Sequence, residues 1–415
     1  MNKHIGIVGA GFAGMAAALE LHDLDYKVTV LEARQRVGGR IWSTRLSNGE
    51  IVELGGEWIG AQDKQILGIV DRLGLSKVGV GVNFLQRKVI AGDPVSIAEQ
   101  KAAREIARKT LTVMNKKDIA ASSIGNFINN LPLSAVQRKY FYSRVQISYG
   151  TDPKNVALRM MEHYAPPSHN SDSEVDGYYR VASGNMSVAQ SISGRLEDIR
   201  LDHEISLVEY HENKIIVRGT SAGEPFQVAF DGLVIAVPVK LLAKIEFSPR
   251  LPFPIQNAIE SVSMGTAAKF AVATSGEPAL RAYHDVETPY WCWTGNGSDG
   301  KVRRALTAFS GSAKSLKELG TGSNNPAIWF QKIKSVNQDL DFTGDPLIVD
   351  WSQDKWAGGC YSVFSNQAAD NISELTKPVG NLFFAGEHTA ENSATMDGAI
   401  ESGLRAANQV REQLR

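Results

Sequence analysis

Cysteine, net charge and long apolar runs are all scarce in this chain of 415 residues. Because its only cysteines are Cys292 and Cys360, a disulfide scaffold is excluded and a reducing compartment is expected. The 44 basic and 45 acidic residues leave a net charge of -1, so neither nucleic acid nor an anionic membrane is an expected partner. No run reaches the ~20 apolar residues that span a bilayer. These absences predict a cytoplasmic protein.

Glycine, in contrast, is plentiful near the N-terminus, inside a predicted strand–turn–helix–strand unit. HIGIV has the pattern of a buried strand, MAAALELHDL that of a helix and KVTVLE that of a second strand. Between the first two lies GAGFAG, a complete G-x-G-x-x-G at Gly9, Gly11 and Gly14. Such glycines allow a tight turn and the close approach of a pyrophosphate, which the helix N-terminus attracts. Glu32 ends the second strand, where its carboxylate can accept hydrogen bonds from a ribose diol. A dinucleotide site is therefore predicted over a bland tight turn.

A second glycine pair follows this acid and narrows the choice of dinucleotide. The run EARQRVGGRIW contains an R-x-x-x-G-G-R pattern, and ELGGEWIG comes after it. A glycine pair beside arginines offers N–H groups and a guanidinium to the same pyrophosphate, with a solvated loop arginine as the alternative. The pattern resembles that of FAD-binding flavoprotein oxidases rather than that of NAD dehydrogenases. The candidate cofactor contacts in these runs are Arg34, Gly39, Arg40, Gly56, Glu57 and Trp58.

The middle of the chain alternates between helical and strand patterns in long blocks. Charged helical sequence fills residues 96–145, and a capped helix ended by two prolines is predicted from residue 151. Strand patterns return over 205–237, where LVIAV is apolar throughout, as in a strand buried on both faces. Ile205, at the start of this block, is a further candidate cofactor contact.

These blocks predict an α/β fold, α+β overall, with two domains that alternate along the chain. Residues 1–80, 200–245 and 346–415 are expected to form a Rossmann-like FAD-binding domain. Residues 81–199 and 246–345 are expected to form an inserted substrate-binding domain of sheet plus helices.

The C-terminal segment NLFFAGEHTAENSATMDGAIESGLRAANQVREQL completes the predicted cofactor site. NLFFAG predicts a strand, and ATMDGAIESGLRAANQVREQL predicts an amphipathic helix. The helix N-terminus would offer the backbone N–H of Met396 to the O2 edge of a flavin, which gains negative charge on reduction. Gly386 and Glu387 are expected near the ribityl chain or the pyrophosphate, with an ordinary loop acid as the alternative for Glu387.

Together these motifs resemble the flavin-containing amine oxidase family, which includes monoamine oxidases, polyamine oxidases and L-amino-acid oxidases. The resemblance covers nearly the whole chain and is carried by GAGFAG, LEARQRVGGR, ELGGEWIG, MGTAAKF, WSQDKWAGGCYS and LFFAGEHTAENSATMDGAIESGLRAA. It implies an FAD-dependent oxidase that oxidises an amine C–N bond to the imine by hydride transfer to flavin N5. Reoxidation by O2 would give H2O2, and hydrolysis would give an aldehyde or ketone with ammonia or an amine.

The resemblance also implies roles for individual residues. In the family, a lysine at the place of Lys269 holds a water against flavin N5 and assists the reaction with O2, whereas an edge-strand lysine is the alternative. Tyr361 matches one wall of the two-aromatic cage of monoamine oxidases, and Thr395 replaces the second wall. Trp351 and Trp356 complete the aromatic set, with plain core packing as the alternative. YWCWTG is a candidate pocket wall or a strand with alternating burial.

The same resemblance places Cys360, in GGCYS, beside the flavin. In monoamine oxidases a cysteine at this place forms a thioether to the flavin 8α-methyl, and relatives with alanine or serine there hold FAD non-covalently. A covalent link through Cys360 and a buried, inert thiol therefore both stay open. A disulfide with Cys292, far away in the sequence, has little support.

Three interpretations of the function remain. A primary or secondary amine is the first choice of substrate, because LGGEWIGAQDKQIL resembles the monoamine oxidase segment. An L-amino-acid oxidase giving a 2-oxo acid is the second, and it needs a guanidinium for the α-carboxylate, for which Arg144 and Arg159 are available. A non-catalytic flavoprotein is the third, and the retention of Lys269 counts against it. The expected partners are the small-molecule substrate and O2, no metal-ligand spacing is present, and a homodimer is left open.

Overall fold

The computed structural model describes residues 3–83, 85–164, 177–212, 214–321 and 327–414. Its strands, in chain order, are β1 (His4–Val8), β2 (Lys27–Leu31), β3 (Ser43–Arg45), β4 (Ile51–Glu53), β5 (Ile59–Gly60), β6 (Lys77–Gly79), β7 (Lys88–Ala91), β8 (Tyr178–Val181), β9 (Asp198–Arg200), β10 (His203–His211), β11 (Lys214–Ser221), β12 (Glu224–Phe230), β13 (Gly232–Ile235), β14 (Glu246–Ser248), β15 (Ser263–Met264), β16 (Ala267–Thr274), β17 (Arg281–Asp285), β18 (Tyr290–Thr294), β19 (Ala305–Gly311), β20 (Phe342–Asp350), β21 (Ser362–Val363) and β22 (Leu382–Phe384). Its α-helices are α1 (Phe12–Asp23), α2 (Lys64–Arg72), α3 (Ile97–Val113), α4 (Lys116–Ala121), α5 (Ile124–Asn130), α6 (Ala135–Tyr149), α7 (Met186–Ser193), α8 (Val239–Leu242), α9 (Phe253–Ser261), α10 (Ala313–Glu318), α11 (Ala327–Val336), α12 (Asn366–Asn371) and α13 (Met396–Gln413). Among these described helices, none is long and apolar enough to cross a membrane.

The first sheet is parallel and has the strand order β22–β13–β1–β2–β9. Its central strands are apolar and almost entirely buried, as a parallel sheet covered on both faces requires. β1 and β2 run in register from His4 beside Lys27 to Val8 beside Leu31, so the GAGFAG turn and Glu32 lie at the same carboxyl edge. Open α/β sheets bind their ligands at this edge. The Rossmann-like architecture is thereby confirmed.

One face of the parallel sheet is covered by α1 and α13, which approach each other closely. A methyl group added at Gly403 would lie 2.1 Å from the carbonyl oxygen of Ala13, so no larger residue fits at this crossing. α13 begins at Met396, close to the predicted start, because the side chain of Thr395 accepts the backbone N–H of Gly398 at 2.9 Å as its N-cap.

The other face of the parallel sheet is covered largely by a second sheet of strand order β12–β11–β10–β14. Val208, Val217 and Phe230 of this sheet pack in one core with Val8 and Leu233 of the parallel sheet. The strand patterns predicted over residues 205–237 therefore belong to two sheets. Ile205 on β10 reaches the carboxyl edge of the parallel sheet through this packing.

A third, six-stranded sheet has the strand order β20–β16–β19–β18–β17–β7. Every residue of β16 is buried, and both of its edges are paired, with β19 and with β20. The edge-strand alternative for Lys269 is therefore wrong. Every residue of β18 is buried as well, so alternating burial of YWCWTG is also wrong. The reason is that Tyr290 and Cys292 pack on one face of the sheet, while Trp291 and Trp293 are buried on the other.

The helical block predicted over residues 96–145 is confirmed as the helices α3 to α6. The capped helix predicted from residue 151 is wrong, because two 3-10 segments, Pro153–Asn155 and Leu158–Tyr164, occupy its place. An isolated bridge between Ser123 and Ala157 separates them and uses backbone groups that a continuous helix would need. The two prolines expected to end this helix lie outside the described residues.

The division into two domains stays a prediction, and strand pairing assigns two segments differently from the expected boundaries. β9 begins before residue 200, yet it pairs with β2 as an edge of the parallel sheet, and α7 before it packs in the same core. β20 extends past residue 345 and pairs with β16 of the six-stranded sheet. Near residues 200 and 345, therefore, the pairing of β9 and β20 shows which sheet each segment joins.

Candidate active site

A cavity of about 490 Å³ is lined by residues of the parallel sheet's carboxyl edge and of the six-stranded sheet. Every residue predicted to bind the cofactor or to take part in catalysis lines this cavity, except Gly14. Gly14 instead allows α1 to start against the turn, since a methyl group there would lie 1.9 Å from the carbonyl oxygen of Gly9. The fold therefore collects the candidate residues from segments far apart in the sequence.

The turn after β1 is held by the buried carboxylate of Glu32. One of its oxygens accepts the backbone N–H of Ala10 at 2.7 Å, and the other accepts that of Arg34 at 2.9 Å. Burial raises the pKa of Glu32, and these hydrogen bonds oppose the rise. Each carboxylate oxygen has a further lone pair, so Glu32 can still accept a hydroxyl from the cavity.

Arg34 lines the cavity, but its guanidinium is engaged by an acid that the sequence did not indicate. Its Nη1 and Nη2 donate to the two carboxylate oxygens of Asp354 at 2.8 and 2.6 Å. This bidentate geometry is the strongest form of an arginine–carboxylate contact. It ties the loop after β2 to the loop that carries Trp356 and Cys360. No local pattern in WSQDKWAGG signals a partner 320 positions away.

Glu387 is the meeting point of three loops. Its carboxylate accepts hydrogen bonds from Arg40 Nη1 at 2.8 Å, from the backbone N–H of Ser362 at 3.1 Å and from that of Ala394 at 2.9 Å. Arg40 Nη1 also donates to the carbonyl oxygen of Cys360 at 2.9 Å. Burial alone would raise the pKa of Glu387, but the Arg40 guanidinium and the hydrogen bonds hold it below its ordinary value. Neither a solvated loop arginine at Arg40 nor an ordinary loop acid at Glu387 describes this arrangement.

Lys269 lies at the cavity wall in a buried ion pair with Glu57. The Nζ atom of Lys269 is 2.6 Å from Glu57 Oε2, and Arg303 Nη2 is 3.1 Å from Glu57 Oε1. Burial alone would raise the pKa of Glu57, but the two cations lower it to about 2. The same Nζ atom is 4.8 Å from the centroid of the Trp293 ring, within cation–π range. Sequence reasoning missed Arg303, which precedes an apolar strand without any motif.

Aromatic side chains line the cavity beside Lys269. The ring centroids of Trp58 and Trp293 are 5.5 Å apart, and those of Trp291 and Phe309 are 6.0 Å apart. All four residues line the cavity, so the YWCWTG run supplies part of its wall. Tyr361 also lines it, and its hydroxyl donates to a backbone carbonyl of α6.

The two tryptophans of the WSQDKWAGG segment differ in their surroundings. Trp351 is 3% exposed, and its indole N–H donates to the carbonyl oxygen of Leu54 at 2.9 Å. Trp356 is half-buried, with Lys355 Nζ at 4.0 Å from its ring centroid. Trp351 therefore both packs in a core and contributes to the cavity wall, while Trp356 lies closer to solvent.

Cys360 is buried between the backbone that follows α6 and the backbone that connects β15 with β16. A methyl group added at Gly150 or Gly265 would lie 2.9 or 3.0 Å from its Sγ atom, so both glycines make room for the thiol. Neither Cys360 nor Cys292 forms a disulfide. Burial raises the pKa of each thiol to about 12, so both are protonated at neutral pH.

The chain matches the family described as flavin containing amine oxidoreductase over residues 12–411. It belongs to this family.

Curated relatives of this amine oxidoreductase match it over nearly its whole length. Amine oxidase [flavin-containing] A of Equus caballus is 25% identical over 97% of this chain and 84% of the relative. Polyamine oxidase 3 of Oryza sativa subsp. japonica is 27% identical over 98% of this chain and 88% of the relative. Nicotine dehydrogenase of Pseudomonas putida is 23% identical, with the same coverage of 98% and 88%.

Solved structures with the same fold include further oxidases. Cyclohexylamine oxidase from Brevibacterium oxydans superimposes with a TM-score of 0.83 at 21% identity over 100% of both chains. A putrescine oxidase variant from a redesign of cofactor binding gives a TM-score of 0.82 at 21% identity over 99% of both chains. Together with the family match, these findings make the protein an FAD-dependent oxidoreductase that acts on amines.

The cavity of this amine oxidoreductase fits FAD at both polar ends of the cofactor. At the turn, a methyl group on Gly39 would lie 3.1 Å from the Cα of Gly11, so only a bare backbone leaves room there for a pyrophosphate. At the start of α13, Met396 belongs to the first turn, whose N–H groups have no partner within the helix. Glu32 would hold the ribose and Arg40 the phosphates, and bound FAD would supply the hydride acceptor.

The two arginines named for an L-amino-acid oxidase do not line the cavity. Arg159 Nη2 pairs with Asp370 Oδ1 at 2.6 Å. Arg144 is buried on α6 with its Cζ atom 5.5 Å from the centroid of the Trp291 ring. Since the clamp for an α-carboxylate must lie at the cavity wall, these contacts do not favour that alternative.

Proposed function

We propose that this amine oxidase acts on a primary or secondary amine that reacts as the uncharged base against the aromatic wall. Desolvation by aromatic surfaces favours the neutral amine over its ammonium form. The observation that carries the proposal is that Trp58, Trp291, Trp293 and Phe309 line the same cavity as Lys269. The aromatic faces would orient the substrate, and the buried wall would exclude water from the reacting carbon.

We further infer that the substrate is not confined between two aromatic rings. Thr395 lies where the resemblance expects the second cage wall, and its hydroxyl is engaged by Gly398 N–H and by the carbonyl oxygen of Asn392 at 2.7 Å. A short, hydrogen-bonded side chain leaves more room than a ring beside Tyr361. Amines with substituents on nitrogen or branched carbon skeletons therefore fit this proposal better than narrow arylalkyl amines alone.

Turnover of the purified yellow protein tests the proposal. Aryl-alkyl amines, cycloalkyl amines, diamines, N-methylated amines and L-amino acids are supplied in turn, and anaerobic bleaching of the flavin is recorded. Bleaching by amino acids but not by their decarboxylated amines would overturn the proposal in favour of an amino-acid oxidase, and no bleaching at all would favour a non-catalytic flavoprotein. Because one relative is named a dehydrogenase, H2O2 formation is compared with reduction of an artificial electron acceptor.

Lys269 is proposed to assist the reaction with O2 through its buried ammonium group. Lys269→Met should slow flavin reoxidation by O2 by ~10²-fold, the scale of one lost charged stabiliser, and should change flavin reduction by amine much less. Stopped-flow measurement of the two half-reactions separates these effects. Equal slowing of both half-reactions, or unchanged reoxidation, would remove this role from Lys269.

Cys360 is proposed to lie against the flavin, and acid precipitation distinguishes its two possible states. Flavin that stays with the pellet indicates a thioether, and flavin that enters the supernatant indicates non-covalent FAD. A solved putrescine oxidase of the same fold carries a cysteine substituted for alanine in a redesign of cofactor binding. Against spontaneous bonding, burial keeps the Cys360 thiol protonated. The Cys360→Ala variant should still fold, and on acid precipitation all of its flavin should enter the supernatant.

The homodimer, the cytoplasmic location and the two-domain division stay predictions. Light scattering of the purified protein would measure the assembly, and cell fractionation would measure the location. Limited proteolysis with and without FAD would report whether the two expected domains open separately.

A further inference from the structure

Five charged side chains form a buried cluster behind the cavity wall. Glu53 and Glu57 come from one short segment, Arg180, Lys269 and Arg303 come from three others, and none of the five is more than 5% exposed. Only Glu57 and Lys269 of these five line the cavity. The other three charged side chains, those of Glu53, Arg180 and Arg303, are therefore buried behind the wall of the cofactor cavity.

Glu57 is the centre of this cluster and binds one cation with each carboxylate oxygen. Lys269 Nζ is 2.6 Å from Oε2, and Arg303 Nη2 is 3.1 Å from Oε1. Arg303 is itself fixed, because its Nη1 donates to the carbonyl oxygen of Ile51 at 2.9 Å. With both oxygens engaged, the carboxylate can neither rotate nor leave Lys269 without losing a second charged contact.

The remaining two members keep the cluster positive. Arg180 donates to the carbonyl oxygen of Asn296 at 2.7 Å and faces Glu57 and Glu53. Glu53 accepts hydrogen bonds from Ser43 Oγ at 2.7 Å and from the backbone N–H of Asn185, and burial raises its pKa. Three cations thus face one ionised carboxylate and a second that burial discourages from ionising. The net charge of the cluster, with Lys269 counted in it, is therefore at least +1.

Stability alone does not explain this arrangement. Buried ion pairs are often replaceable by apolar side chains without loss of stability, because desolvation offsets their attraction. β16 is otherwise apolar along its whole length, so an apolar residue at position 269 would continue its pattern. A lysine paired at a cavity wall is better explained by a charge that the reaction needs.

We propose that Glu57 is a positioning residue for Lys269, which it holds as an ammonium group at one point of the cavity wall while Arg303 fixes Glu57 in turn. The inference rests on the proposed role of Lys269 in the reaction with O2. Negative charge develops on O2 as it accepts electrons, and a cation already held in place stabilises that charge without reorganisation. Glu57 thereby keeps the ammonium group at one point of the wall, next to the cavity.

The first test uses the FAD-free protein in the Cys360→Ala background, in which no thioether can retain the flavin, and it does not depend on activity. NMR of isotope-labelled lysine side chains follows the Lys269 signal, assigned by its loss in Lys269→Met. We expect one sharp Lys269 signal in the wild-type protein, because Glu57 holds the ammonium group in one place, and a shifted and broadened signal in Glu57→Gln, where that charged contact is lost. A signal that behaves alike in both proteins would overturn the proposal, even if amine oxidation itself were confirmed.

The second test measures the two half-reactions of the holoenzyme. Glu57→Gln should slow flavin reoxidation by O2 by ~10-fold or more, because the ammonium group is no longer held at the wall, and should change flavin reduction by amine much less. Glu57→Asp, which keeps the negative charge, should recover most of the wild-type rate of reoxidation. In the Lys269→Met background, Glu57→Gln should have no further effect on reoxidation, since Glu57 acts through Lys269. A full additional loss in that background would overturn the proposal.

A matched control and a second variant separate this role from a structural one. Glu53→Gln removes a buried carboxyl group that is held by Ser43 and Asn185, and it should leave the Lys269 signal and the ratio of the two half-reaction rates unchanged. If Glu57→Gln does not fold, Glu57→Gln with Arg303→Gln removes one charge of each sign and allows the same two measurements. An unchanged Lys269 signal and an unchanged rate of reoxidation in that double variant would count against Glu57 as the residue that positions Lys269.

Discussion

At the scale of single residues, the acids around the cavity divide by the partner that each one meets. Glu57 and Glu387 each receive a cation, so the pKa of each is low although burial opposes ionisation. Asp63 instead receives the backbone N–H of Gly60 at 2.7 Å and lies near the charge of Asp397. Burial, with a smaller contribution from Asp397, raises the pKa of Asp63 to about 6. Glu57 and Glu387 therefore hold segments of the site together through ion pairs. The ionised form of Asp63 instead lowers the stability of the folded protein.

Asp63→Asn should stabilise the protein at pH 8 and have little effect near pH 4. The folded-state pKa of about 6 lies above the ordinary value of 3.8, so the folded state favours the neutral carboxyl. Stability is therefore lost as pH rises from about 4 to about 6, and an amide, which is always neutral, avoids that loss. We expect a gain of ~1–2 kcal/mol at pH 8 by urea unfolding, after allowing for partial exposure. Asp71→Asn, at an exposed ion pair with Lys77, is the control and should change stability little at either pH. An equal effect of Asp63→Asn at both pH values would contradict the raised pKa.

At the scale of elements, the contact between α1 and α13 decides how the cofactor edge is built. Nearly every residue of α1 is buried, because the parallel sheet covers one side and α13 covers another. The MAAAL segment of α1 therefore has no polar face. Small residues, and not a stripe of large apolar ones, lie where α1 contacts α13. Gly403 is the point of closest approach, and it lies about two turns into the helix whose N-terminus faces the cavity.

Gly403→Ala should destabilise the protein, whereas Gly68→Ala should not. At Gly403 the new methyl group would lie 2.1 Å from a backbone oxygen of α1, so the helices must separate. Overpacking of this kind costs ~1–3 kcal/mol, more than the helix propensity that alanine adds. Gly68 lies on the exposed face of α2, and no atom is within 4 Å of a methyl group added there. Alanine at this position should therefore increase the free energy of unfolding by ~0.5–1 kcal/mol. Urea unfolding of both variants checks this, and equal stability of the two would show that α1 and α13 are not tightly packed.

At the scale of the whole molecule, charged contacts connect segments on opposite sides of the cavity. Lys269 of the six-stranded sheet pairs with Glu57 in the segment after β4, and Arg34 and Arg40 after β2 pair with Asp354 and Glu387 near the end of the chain. These pairs surround the space in which the cofactor fits. Cofactor binding should therefore stabilise the entire protein and not one half of it.

FAD should raise the unfolding free energy of the cofactor-free protein by mass action. Cys360→Ala is used for this measurement, because no thioether can then retain the flavin. At an FAD concentration 100 times the dissociation constant, the gain should be ~2.7 kcal/mol, seen as a rising Tm in thermal scans. ADP and riboflavin, supplied separately, are the controls and should give smaller shifts because each fills part of the cavity. A Tm that does not respond to FAD would contradict the assignment of this cavity to the cofactor.

The nucleotide-binding half could be predicted from the sequence to a large extent. The strand, turn, helix and strand around Gly9 and Glu32 follow each other within the first 32 residues, so hydrophobic periodicity and glycine placement suffice. The start of α13 near Met396 was predicted for the same reason, since an N-cap and an amphipathic pattern are local signals. The 3-10 segments after residue 151 were missed, because a bridge to Ser123 from another part of the chain overrides the local helical pattern.

By itself, the sequence determined the parallel nucleotide-binding unit, the family and many of the residues that line the cavity, since each rests on motifs written in consecutive residues. Only the tertiary structure decided that Lys269 lies on a central strand and that its ammonium meets Glu57 across 212 positions. Only the tertiary structure added Arg303, 246 positions from Glu57, and Asp354, 320 positions from Arg34. The physical reason is that a charge is buried where folding supplies its partner, and no local pattern records a partner so distant in the chain.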